Sequence, residues 1–109
     1  MMTTIIIRTR FVALHNWPKA PDVVSFLRNE HRHEFWVEVE IEVDHNDRDL
    51  EFFICKEKIN RFIKNNFAYK SLGSLSCEMI AIKLYEGLQL PVKSISVFED
   101  GENGAKVVR

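Results

Sequence analysis

Apolar and charged residues alternate along much of this chain. Near the start, Ile5, Ile7, Phe11 and Ala13 fall opposite Arg8 and Arg10. That period of two is the signature of a strand with one covered face, and it predicts a first strand over about 3–17. A second strand is predicted over about 31–44, where Phe35, Val37, Val39 and Ile41 alternate with Glu38, Glu40 and Glu42. Pro18, Pro21 and Asp22 place a loop between the two strands, reaching Glu30. The polar run His45-Asn46-Asp47-Arg48-Asp49 is a turn. Phe52, Cys55, Ile59, Phe62 and Ile63 then recur at helical spacing, which predicts a helix ending near Asn65. After a connector over 67–73, Ser76 is a suitable N-cap for a second helix. Leu75 and Ile80 sit at staple positions, and Glu78 lies in the first turn, where the helix dipole favours a carboxylate. Gly87 and Pro91 end that helix. Alternation returns over 93–99 and, after a turn at 101–104, over 105–108.

The order ββααββ predicts an α+β fold: a four-stranded antiparallel sheet with both helices on one face, forming a single domain over 1–109. Such a sheet has two open edges, which proteins pair, cover or charge. Two readings follow: a homo-oligomer whose sheet continues across subunits, or edges protected by their Arg, Lys and Glu side chains.

At 109 residues and 46% hydrophobic, the chain can bury a real core but not a large one. The formal net charge is −1 with basic residues scattered, so no nucleic-acid footprint is expected. The longest apolar run is too short to cross a membrane, and the first residues carry no signal-peptide pattern. Cys55 and Cys77 are too few for a disulfide framework and read as small apolar fillers. A reduced, cytoplasmic setting is the expectation.

Three histidines stand out against this background. His31 and His33 share the apolar face of the second strand, and His15 falls on the apolar face at the end of the first. Antiparallel pairing brings those two ends together. Three imidazoles with an open fourth position describe a catalytic Zn²⁺ site. Inward histidines also occur as hydrogen-bonded core residues, and spacing alone leaves both readings open. Glu99 is a second oddity, because it shares a face with Ile95 and Val97 while Ser94 and Ser96 lie opposite. A carboxylate there needs a partner. It could accept two parallel N–H bonds from a pterin or guanine edge, or bend to water or a nearby Lys. Trp17 and Trp36 read as packing residues, with Trp17 close enough to the histidines to wall a pocket.

These residues resemble the 6-pyruvoyl-tetrahydropterin synthase / 6-carboxytetrahydropterin synthase family, which has the T-fold. Phe11-Val12-Ala13-Leu14-His15 matches the family's F-x-A-x-H, and His31-Arg32-His33-Glu34-Phe35 is similar to its H-G-H-N-Y. Ser76-Cys77-Glu78-Met79-Ile80-Ala81 is similar to T-x-E-N-hydrophobic-A, and the stretch ending at Glu99, followed by Gly104-Ala105, fits the last signature. The resemblance spans essentially the whole chain. It implies Zn²⁺ held by His15, His31 and His33, and a pterin-like small molecule anchored by Glu99. It also implies a homo-oligomer, often a hexamer of two trimers, with active sites between subunits.

The chain departs from the family's proton-transfer set. The family's catalytic cysteine precedes H-G-H, yet no cysteine occurs over 16–30. Where the family has L-D-H-x-x-L-N, this chain reads Phe67-Ala68-Tyr69-Lys70-Ser71-Leu72-Gly73, with Ala68 for Asp and Tyr69 for His. The one Asp-His pair, Asp44-His45, lies at the far end of the second strand. Glu30 as a base and Tyr69 as an acid are the available substitutes; both also read as ordinary surface or packing residues. Arg28 and Arg32 are basic residues that could meet a triphosphate. A divergent enzyme, a non-catalytic pterin- or purine-binding homologue, and an oligomer using metal for assembly are the three readings that follow. The retained Glu99 speaks against the last.

Overall fold

A computed structural model describes residues 1–109. Its strands are β1 (Thr3–His15), β2 (His31–Val43), β3 (Val92–Glu99) and β4 (Gly104–Val108), and its α-helices are α1 (Phe52–Asn66) and α2 (Cys77–Gly87). The four strands form one antiparallel sheet in the order β1-β2-β3-β4. Both helices lie on the same face. Cys55, Ile59 and Ile63 of α1, and Ile80, Ala81 and Leu84 of α2, join the inward residues of the sheet in one hydrophobic cluster. Phe35, Val39, Ile41, Ile95 and Val97 at its centre are fully buried. The apolar face anticipated from the alternation is the face the helices cover.

Both helices begin at side-chain caps. The Ser76 hydroxyl accepts from the Met79 amide at 3.1 Å, as expected for an N-cap. Glu51 caps α1, accepting from the amides of Phe53 and Ile54 at 3.0 and 3.2 Å.

The structure departs from the pattern in three places. The first strand ends at His15 rather than Trp17, because the chain leaves the sheet: the Asn16 amide donates to Gly73 O and the Trp17 amide to Leu27 O. The loop after it contains a short 3₁₀ stretch, Asp22–Leu27, which buries no residue and so leaves no apolar period to read. In β3 the register shifts beside Glu40 and Ile41, which pair with Ser94 and Val92, leaving Lys93 as an extra residue. That bulge buries Val92, three positions from Ile95, where simple alternation would expose it.

The connector after α1 runs along the end of β1. Tyr69 donates to Val12 O, Leu14 to Lys70 O and Leu72 to Leu14 O. This covers the sheet edge from Val12 onward and leaves residues 3–10 without a strand on that side. No helix is long and apolar enough to cross a membrane.

Candidate metal centre

The strand register builds the site. His15 is paired directly with His31, and Ala13 with His33, so the two ends place three imidazoles on the covered face. Their rings meet edge to face, with centroids 4.6, 5.1 and 4.9 Å apart. Phe35 packs against His15 and His33, with centroids at 5.3 and 5.7 Å. One nitrogen from each histidine lies within 4.8 Å of the other two.

Hydrogen bonds decide which nitrogen is offered. His15 Nδ1 is 2.8 Å from Leu75 O, and His31 Nδ1 is 2.8 Å from Asn29 O. His33 Nδ1 is 2.7 Å from Asp100 Oδ2. All three partners are acceptors, so each Nδ1 carries the hydrogen and donates it. In a neutral ring the lone pair is then on Nε2. Those of His15 and His33 are buried and without a hydrogen-bond partner. Burial lowers the pKa of His15, opposed by its bond to Leu75 O and reinforced by His31, so this ring stays neutral near pH 7.

Glu99 turns toward the same point. Its Oε2 lies 3.2 Å from His15 Nε2 and 3.7 Å from His33 Nε2. Imidazole lone pairs and a carboxylate oxygen repel one another at these distances unless a cation or a proton lies among them. The donor set therefore fits a zinc ion: three imidazoles, each fixed by its other nitrogen, beside a carboxylate.

A cavity of about 490 Å³ opens beside this cluster, within the range of small-ligand pockets. His15, His31 and Glu99 line it, together with Trp17, Cys77 and Glu78. Trp17 walls the pocket as the sequence suggested. Cys77 is more than a core filler, since it is buried and also borders the cavity. Its thiol is pushed up to about 12, first by burial and then by Glu99 and Glu78, so it is neutral at physiological pH.

The other candidates lie apart from the cavity lining. Glu30 accepts a hydrogen bond from the Ser71 hydroxyl. Tyr69 is 87% exposed and sits at φ +59 on the connector. Arg28 is tied locally to Ala20 O at 2.8 Å and Asp22 at 2.6 Å. His45, the fourth histidine, lies in the turn after β2, 3.4 Å from Asp49. Asp100 was not singled out by the sequence pattern. The signal that could have found it is the Asp100-Gly101 pair, a turn dipeptide placed directly after Glu99.

Several solved structures share this architecture, two of them over the full length of the chain. A 6-pyruvoyl tetrahydropterin synthase from Caenorhabditis elegans superposes with a TM-score of 0.78 at 15% identity, covering 100% of this chain and 96% of that one. The chain has the fold of that synthase. An uncharacterized protein from Wolinella succinogenes also superposes with a TM-score of 0.78, at 13% identity, covering 100% of this chain and 99% of that one. No protein-family model matches the sequence, and no curated protein does either. At these identities the T-fold is what the likeness establishes.

Proposed function

We propose that this protein is a divergent 6-pyruvoyl/6-carboxytetrahydropterin synthase-like protein that holds Zn²⁺ and acts on or binds a dihydropterin such as dihydroneopterin triphosphate. The observation that carries the reading is the convergence of His15 Nε2, His33 Nε2 and Glu99 Oε2 beside a cavity of ligand size. His15, His31 and His33 would hold the metal. Bound there, zinc would supply Lewis-acid polarisation of a ligand oxygen. Glu99 would accept the amide and amino N–H groups of the pterin edge, and Trp17 would shield one side of the ring. The uncovered stretch of β1 and the outer edge of β4 would pair with other copies, giving a homo-oligomer, for which a hexamer is the family precedent.

One set of observations favours a second reading, a non-catalytic pterin- or purine-binding homologue. No cysteine occupies residues 16–30, and Ala68 and Tyr69 stand where the family carries Asp and His. Glu30 is engaged with Ser71, and Cys77 is held protonated. Loss of one positioned acid or base typically costs about 10²–10⁴-fold in rate.

The test is the zinc content of purified wild-type protein and of His31→Ala, followed by addition of dihydroneopterin triphosphate and product analysis. About one zinc per chain, lost in the variant, is expected. Turnover would then support the divergent enzyme with relocated acid and base groups. Saturable binding without turnover would support the retired homologue. Zinc-free wild-type protein, prepared without chelators, would sink the metal reading.

A further inference from the structure

We infer that Asp100 is a positioning residue for the metal centre: its carboxylate holds His33 as the Nδ1–H tautomer and so aims Nε2 at the point it shares with His15 Nε2 and Glu99 Oε2. This inference rests on the metal reading above and concerns a residue outside the expected ligand set.

The geometry begins with a turn. Asp100 and Gly101 have φ of +55 and +72, and the Glu102 amide donates to Glu99 O at 3.0 Å. Two successive positive φ values closed by that bond have the form of a tight hairpin turn, for which Asp-Gly and Asn-Gly are the preferred pairs. Turn formation by itself would be met by either Asp or Asn. The side chain at position 100, however, has a second task. Oδ1 accepts from the Glu34 amide at 2.9 Å, and Oδ2 accepts from His33 Nδ1 at 2.7 Å. The Asp100 amide donates in turn to Glu34 O at 2.8 Å, which clamps the turn to the strand carrying His33.

Two donors therefore converge on one side chain, and a carboxylate has an oxygen for each. An asparagine has one carbonyl oxygen and one NH₂ group. It can answer the Glu34 amide or the His33 ring, but the remaining donor would face another donor. His15 and His31 are fixed differently, by the backbone carbonyls of Leu75 and Asn29. Among the three rings only His33 is oriented by a side chain, so it is the one that a point mutation can release without moving the backbone. A carboxylate partner also makes an imidazole a better metal ligand than a carbonyl does.

Asp100→Asn is the informative variant because it keeps a residue suited to the turn. Two readouts apply. On metal-free protein at alkaline pH, ¹⁵N NMR of the His33 ring should show the Nδ1–H tautomer in wild type and a mixed or reversed population in Asp100→Asn. In chelator competition, zinc affinity should fall about 10–100-fold, with the melting temperature of the metal-free protein nearly unchanged. Asp100→Gly, which also suits positive φ, should weaken zinc similarly and guards against an effect peculiar to the new amide. An unchanged His33 tautomer in both variants would overturn the inference. So would unchanged zinc affinity in both while His33→Ala loses the metal. If wild type itself binds no zinc, the metal reading falls, and the tautomer measurement still judges what Asp100 does to His33.

Discussion

At the scale of single residues, the site separates side chains that look alike in the sequence. Glu78 and Glu99 both border the cavity, but only Glu99 has its oxygen against the histidine nitrogens. Glu99→Gln should leave zinc content intact and weaken pterin binding about 10–100-fold, the equivalent of losing ~1.5–3 kcal/mol of charge-assisted hydrogen bonding; loss of zinc instead would make Glu99 a ligand. Cys55 and Cys77 also read alike, yet burial raises both thiols and Cys77 reaches about 12. Neither should react with iodoacetamide in native protein at pH 8, and both should react in denaturant, as mass spectrometry would show. The raised Cys77 value also has a sign for stability. The unfolded thiol ionises near the ordinary value of 9.0, the folded one near 12. Between those values the unfolded state has already lost its proton, so stability falls as pH rises through this window. The three histidines were legible because strand alternation assigns a face to each. Asp100 was not, because its partner His33 is 67 residues away and only the β3–β4 turn brings them together.

Helices and strands were read from period and caps, and where these signals were strong the structure agrees. Ser76 is the case in point: its hydroxyl meets the Met79 amide at the start of α2. Ser76→Ala should cost about 1 kcal/mol in chemical denaturation, and Ser76→Asp should restore it. Ile59, fully buried on the inner face of α1, should cost more: about 2–5 kcal/mol as Ile59→Ala, since a cavity remains in the core. A loss below ~1 kcal/mol would mean that α1 packs more loosely than the structure has it. The elements that periodicity misread are those shaped by tertiary bonds. The β1 end at His15 is set by amides reaching Gly73 and Leu27, and the bulge at Lys93 by pairing with β2.

For the molecule as a whole, the sheet edges are the open feature. The Cα radius of gyration is 15.0 Å, against ~13 Å for a compact chain of this length, so the molecule is elongated, with extents of 50 × 27 × 21 Å. From Val12 on, the even-numbered positions of β1 bond to the connector, and alternation aims the backbone groups of Ile6 and Arg8 outward on the same side. Ile6→Pro would remove an outward N–H without touching the β1–β2 ladder. In light scattering, wild type should have the mass of an oligomer and Ile6→Pro a smaller one, with unchanged circular dichroism. A monomeric wild type would remove the proposal of a shared sheet.

By itself the sequence determined the order of elements, the inward faces of β1 and β2 and of β3 from Ile95 on, the α2 cap and the identity of the three histidines. These follow from local periods and propensities, which act over a few residues. Tertiary structure alone decided the rest. It chose Nε2 over Nδ1 on each ring, through acceptors that are remote in sequence for His15 and His33. It brought Glu99 to the imidazoles, drew Cys77 to the cavity wall, and set Asp100 behind His33. Those outcomes depend on which strands pair and in what register, and that is settled by burying one common core.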